Sequence, residues 1–181
     1  MRTALRCVFS LVIAAVCMLA FRSLVFTVCS IDGDALAPFF LRGDRIVVNR
    51  WSYGLRTGRN NSIFGYGRLF RQPLKRGDIV AFDSPIDSFP GVLVCRCTAL
   101  PGDTVRTTGS NIIILPGTIT CDDQDCYWMQ ALSKGSHADS NTFGPIPDSL
   151  IIGRVCAILY NHDDSQPFFR GYDKNRLTLI P

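Results

Sequence analysis

Arg76-Gly77-Asp78-Ile79-Val80-Ala81-Phe82 is the stretch on which the fold of this chain turns. A tight turn signal, Arg-Gly-Asp, runs directly into a short apolar stretch led by β-branched residues, and Asp83-Ser84-Pro85 closes it. Short Val- and Ile-rich runs bounded by turn residues read as strands. The same grammar recurs on either side. Upstream lies Arg45 to Asn49; downstream lie Val92 to Thr98, Thr104 to Thr107, Ile112 to Leu115 and Arg154 to Tyr160. No long 3.6-residue periodicity appears outside residues 4–27. Short strands at near-regular spacing predict a mainly β protein, a folded sheet or partial barrel. Two stretches interrupt it. Residues 51–74, rich in Gly, Arg and aromatics, read as a long loop, and residues 118–141, poor in β-branched residues, read as an insertion.

At 181 residues the chain has room for one domain with a real core. Apolar residues make up 47% and charged ones 19%, which argues for a folded, loop-rich domain. The net charge of +4 is modest and the basic residues are scattered, so nothing concentrates them as a nucleic-acid footprint. Lysines stand only at 75, 134 and 174.

The N-terminus carries an uncharged run from Cys7 to Phe21 between Arg6 and Arg22. As a helix it covers about 22 Å of a hydrocarbon layer about 30 Å thick. Ala4, Leu5 and Leu24-Val25-Phe26 extend it to spanning length if Arg22 snorkels to the interface. Arg2 and Arg6 then place the N-terminus inside and the domain outside. A cleaved secretion signal would begin in the same way, but Met18-Leu19-Ala20 lacks the small residue that cleavage requires. The expectation is an anchor over residues 1–30 and one extracytoplasmic domain over 31–181.

Of eight cysteines, Cys7, Cys17 and Cys29 fall in or near the anchor, and Cys156 sits in an apolar run. Cys121 and Cys126 flank a polar loop and would suit a disulfide in an oxidising compartment. A zinc site fits less well, because no second Cys-x-x-Cys or His pair accompanies them.

Five boxes follow the anchor in order: Ile31-Asp32-Gly33-Asp34-Ala35-Leu36-Ala37-Pro38, then Gly43 to Arg50, Arg76 to Phe82, Leu100-Pro101-Gly102-Asp103-Thr104-Val105, and Phe143-Gly144-Pro145-Ile146-Pro147 with Ile151-Ile152-Gly153-Arg154. Together they resemble the boxes of type I signal peptidases, the membrane serine endopeptidases that release leader peptides. The resemblance implies a signal-peptidase-like folded β-sheet domain behind one N-terminal transmembrane helix. It implies a serine nucleophile with a buried neutral lysine as base, no cofactor and no metal. Alone, each box is ordinary turn-plus-strand text; the order and spacing carry the resemblance.

The chain departs from that pattern where the chemistry should be. Alignment on Pro38 puts the family's serine at Ala35, and a methyl group cannot attack a carbonyl. Alignment on Leu100-Pro101-Gly102-Asp103 puts the lysine at Cys95, followed by Arg96; a gap that made Arg96 the counterpart would supply no base, since arginine stays protonated. The family's "D-S-R" segment becomes Asp139-Ser140-Asn141, so Asp139 and Ser140 match and the arginine is gone. Gly33, Asp34, Leu36, Pro38 and Phe39 retain the character of a groove for an extended peptide.

Three readings follow. The first is a signal-peptidase-like protein that has lost proteolysis, held in the cytoplasmic (inner) membrane by a single pass, and binding leader peptides of secreted preproteins or an active signal peptidase. The second is an active peptidase with a rearranged site, in which Cys95, sharing a strand face with Cys97, is paired with His137. The third is a structural or assembly protein of the envelope. For Cys95 and Cys97 themselves, core packing is the weightier reading.

Overall fold

In the computed structural model the described residues are 2–31, 39–41, 43–57, 66–86, 91–107, 109, 111–118, 124–133, 139–162, 172–173 and 177–180. The elements run α1 (Arg2–Val25), β1 (Phe26–Ser30), β2 (Asp44–Asn49), β3 (Leu55–Arg56), β4 (Arg68–Leu69), β5 (Ile79–Asp83), β6 (Val92–Ala99), β7 (Thr104–Arg106), β8 (Ile112–Ile114), β9 (Cys126–Gln130), α2 (Ser140–Phe143), β10 (Ile146–Pro147), β11 (Ile151–His162), β12 (Tyr172–Asp173) and β13 (Thr178–Leu179).

All six runs expected from the sequence are strands within a residue or so, apart from Arg154 to Tyr160, which is part of the longer β11. The main sheet is antiparallel, in the order β1-β2-β11-β5-β6-β9-β10, with β12 and β13 also paired to β11. At twelve residues, β11 is the hub: its start pairs with β5, and from Arg154 onward it pairs with β2. Register shifts at Ile151/Gly153, Val155/Ala157 and Ile158/Tyr160 bend it, which curls the sheet into a half-barrel. Two small ribbons, β3–β4 and β7–β8, stand off the main sheet.

Side-chain alternation divides the middle of the sheet between two apolar clusters. Val80, Phe82, Cys95 and Cys97 face one, which Tyr53, Met129 and Ile146 complete. Ala81 and Val94 face the other, with Ile46, Val48, Val155 and Ile158.

Three boxes prove to be one device used three times. In Leu41-Arg42-Gly43-Asp44, Lys75-Arg76-Gly77-Asp78 and Leu100-Pro101-Gly102-Asp103 the third residue is glycine at positive φ: 85°, 93° and 86°. That is the left-handed position which only glycine occupies without strain. The aspartate N–H closes each turn onto the first residue's carbonyl, at 3.1, 3.2 and 3.0 Å. Its carboxylate then accepts the first residue's N–H, at 2.7, 3.1 and 2.6 Å. Each turn is locked from both ends, so each following strand starts in a defined direction.

Helix α1 exposes every side chain from residue 6 to residue 19. Among the described residues, however, no helix is long and apolar enough to cross a membrane. The uncharged run stops at Arg6 and Arg22, short of a full hydrocarbon width. Residues 26–30, counted with the anchor from sequence, form β1 and pair with β2 from Phe26–Asn49 to Ser30–Arg45. The presumed insertion 118–141 contains β9, buried at Tyr127, Trp128 and Met129 between β6 and β10.

Candidate functional site

Cys95 sits in the middle of β6, opposite Val80 of β5, and is 1% exposed. Burial pushes its thiol up to about 12, and the nearby negative charge of Asp139 adds to the effect. Cys97, two residues on and on the same face, is likewise pushed up to about 12, by burial first and by Asp78 second. Both thiols are protonated at neutral pH, whereas a nucleophilic cysteine needs its thiolate. Arg96 lies between them, exposed on the opposite face of the strand.

Asp139 and Ser140 converge on this region. Asp139 is the N-cap of α2: its Oδ1 accepts the Asn141 N–H at 3.0 Å, and its Oδ2 accepts the Asn141 side-chain amide at 3.0 Å. Asn141 therefore still braces the carboxylate where the family motif has arginine, as a neutral donor. Ser140 Oγ is buried and accepts the Met129 N–H at 2.8 Å, tying α2 to β9. In the structure both side chains bond locally, Asp139 to Asn141 and Ser140 to Met129.

Ala35, Gly33, Asp34, Leu36 and Pro38 lie outside the described residues, as do His137 and Cys121. Phe39, the groove residue that is described, is 64% exposed, while Phe40 beside it is buried. Among the described residues no group of three His, Cys, Asp or Glu side chains is placed to hold a metal.

One arrangement that sequence reasoning missed holds the described parts of the 51–74 stretch against the sheet. Arg68 and Asp148 are buried at 2% and 4% side-chain exposure and pair at 3.2 Å. Arg68 also donates to the carbonyls of Gly54, Asp148 and Ile151, at 3.1, 2.8 and 2.6 Å. The Tyr66 hydroxyl donates to Asp148 Oδ2, and burial together with that bond pushes it up to about 12. Arg71 adds a second contact to Asp148 at 3.3 Å and reaches Asp125 at 2.6 Å. Arg56 pairs with Asp83 at 2.9 Å, and Tyr53 donates to Asp78 at 2.9 Å. A buried charge must be paired, and here nearly every guanidinium donor is used. Nothing in the local sequence marks Arg68 out from the other arginines of this stretch.

The family model described as "Signal peptidase, peptidase S26" matches residues 4–119. A signal peptidase I of Buchnera aphidicola is 34% identical over 90 residues, 50% of this chain and 26% of that protein. Mitochondrial inner membrane protease subunit 2 of Schizosaccharomyces pombe is 26% identical over 168 residues, 86% of this chain and 77% of its own. Subunit 1 from Xenopus tropicalis is 30% identical over 84 residues, 46% of this chain and 48% of its own. The chain thus spans about a quarter of the bacterial relative's length and about half of the frog protein's.

Proposed function

The chain belongs to the signal peptidase family, peptidase S26, and on that premise we propose that it is a non-proteolytic member that binds leader peptides or an active peptidase at a membrane. The observation that carries this reading is Cys95. The strand position where the family places its lysine base holds a buried, protonated thiol. A methyl at Ala35, where the family's serine would stand, completes the loss.

Helix α1 supports the membrane part of the reading. Val8, Phe9, Leu11, Val16, Met18 and Leu19 are each 59% exposed or more, around all sides of the helix. A helix apolar all round needs an apolar surrounding, and lipid would supply it. With Arg22 at the interface, α1 becomes a single-pass anchor with the β domain on the extracytoplasmic side. The names of the mitochondrial relatives, subunits of an inner membrane protease, fit a role beside a catalytic partner. A disulfide between Cys121 and Cys126 belongs to the same extracytoplasmic reading.

The test is direct. Purified full-length protein is incubated with a preprotein, alone and as Ala35→Ser. Neither cleaves if the reading holds, because serine without a base stays protonated. Turnover by the unaltered protein that Cys95→Ala abolishes would establish the rearranged cysteine site with His137 instead. No binding to leader peptides or to an active signal peptidase would favour a structural role in the envelope.

A further inference from the structure

We propose that the open edge of β8 is a dimerisation edge, where a second copy of this chain adds its own β8 antiparallel about a two-fold axis at Ile113. This stands apart from how α1 is used and from whether the chain cleaves. The β7–β8 ribbon is separate from the main sheet. One face of it packs inward, through Val105 against Ala99, Leu115 and Trp128. The other face shows Thr104, Arg106, Ile112 and Ile114 to solvent, with the two isoleucines 65% and 60% exposed.

The backbone at this edge is open as well. Thr107 donates its N–H to the Asn111 carbonyl at 3.0 Å, and Leu115 donates to that of Asp103 at 2.9 Å. With Val105 opposite Ile113, these bonds fix the parity of the ladder: residues 111, 113 and 115 turn their N–H and C=O groups toward β7. Ile112 and Ile114 turn theirs away, and β7 is the one strand that β8 pairs with among the described residues. The opening ends at Pro116, whose carbonyl accepts the Cys126 N–H at 2.9 Å. Exposed edges are ordinarily guarded by a charge, a proline or a bulge. Asn111-Ile112-Ile113-Ile114-Leu115 holds no charge and no proline, and its register runs unbroken.

The edge is its own complement. Paired antiparallel about Ile113, Ile112 of one copy faces Ile114 of the other, and the two pairs exchange every outward N–H and C=O. The four isoleucine side chains then form one strip, and the same patch serves both sides of a closed two-fold contact. Charge points the same way. β8 carries none for a partner of opposite sign to answer, and Arg106 stands on β7, opposite Ile112. The two-fold sends the two arginines to opposite corners of a four-stranded sheet. They are then about 16 Å apart, beyond a Debye length of about 8 Å, so they do not repel. Two strands of three residues bury far less than the roughly 1,600 Å² of a standard interface, so the dimer is weak and grows with concentration.

Full-length protein is purified in mild detergent, and its mass is followed by sedimentation over a range of protein concentrations. The expected result is a monomer–dimer equilibrium that Ile112→Lys and Ile114→Lys abolish, while Thr178→Lys on exposed β13 leaves it unchanged. Both isoleucines are exposed, so the lysine variants keep the fold. Register is read by oxidative cross-linking, with each bond located by mass spectrometry so that native cysteines are told apart. The two-fold brings the two copies of residue 113 to a Cα separation of about 4.5 Å, which a disulfide spans. Ile113→Cys should therefore form a covalent dimer alone. Ile112→Cys and Ile114→Cys should each fail alone, across about 8 Å, and succeed when mixed. A protein monomeric throughout overturns the proposal. So does a dimer that survives both lysine variants, which would put the contact on α1 or elsewhere, and so does cross-linking of Ile112→Cys to itself. If the chain is monomeric and Ile114→Lys instead abolishes binding to an active signal peptidase, the edge serves a different protein and the proposal falls.

Discussion

Alkylation of Cys95 in the folded protein should be far slower than that of an ordinary thiol, by an amount the structure sets. Its pKa moves from an ordinary 9.0 to about 12. At any pH below 9 that leaves about a thousandfold less thiolate. A more basic thiolate is a better nucleophile, and a Brønsted slope of about 0.4–0.5 returns about half of that loss on a logarithmic scale. The net chemical effect is a rate about 40-fold lower, before access is considered. At 1% exposure access adds to it, because reagent reaches the thiol only in opened molecules. The assay is labelling with iodoacetamide from pH 6 to 10, read peptide by peptide by mass spectrometry, with urea-unfolded protein as reference. Cys95 and Cys97 should lag the reference throughout and catch up only as denaturant opens the sheet. The same shifts make stability depend on pH. An acid whose pKa is raised by folding holds its proton in the native state while the unfolded chain releases it. Stability is therefore full below pH 9 and falls as pH climbs toward 12, by up to about 4 kcal/mol for each of the two thiols. Rapid labelling of Cys95 in folded protein with a midpoint below pH 7 would refute this reasoning and revive the cysteine as a nucleophile.

Breaking the buried clamp by Arg68→Met should cost about 3 kcal/mol or more in urea unfolding, since it leaves the Asp148 carboxylate buried with fewer donors. Arg71→Met removes a half-exposed partner and should cost under about 1 kcal/mol. The turn glycines should separate by environment rather than by motif. Gly77→Ala and Gly102→Ala meet open space, so each should lose only the backbone term of about 1–2 kcal/mol. Gly43→Ala would drive its Cβ into the His162 carbonyl and should be the most damaging of the three by thermal melt.

The strands legible in advance were those written in Val and Ile between turn residues, such as β2, β5 and β6. β9 escaped because Cys126-Tyr127-Trp128-Met129-Gln130 holds no β-branched residue; its strand character comes from packing three large side chains between β6 and β10. The shared face of Cys95 and Cys97 followed from the two-residue period alone. The Arg68–Asp148 clamp was illegible for a different reason. Its partners are 80 residues apart, and both types are exposed more often than buried. Only the fold shows that this arginine is the buried one. The Gly-Asp boxes fall between these cases. Their turns could be read from sequence, but not the carboxylate bond that locks each of them.

If the chain is non-proteolytic as proposed, conferring proteolysis should take more than returning the two dyad groups. In Ala35→Ser with Cys95→Lys, the new amine would enter the space where Asp139 already acts on the Cys95 thiol. A carboxylate beside an amine favours the ammonium form, the reverse of what a general base needs. The resemblance implies an arginine at position 141, whose charge would offset that aspartate; here Asn141 supplies two hydrogen bonds and no charge. The double variant should therefore be inactive at neutral pH, with any cleavage appearing only under alkaline conditions. Adding Asn141→Arg should bring the pH profile of cleavage back toward neutrality. A double variant that cleaves a preprotein as well at pH 7 as the triple one would show that Asp139 does not control the base position. In that case the proposed loss of proteolysis would rest on Ala35 and Cys95 alone.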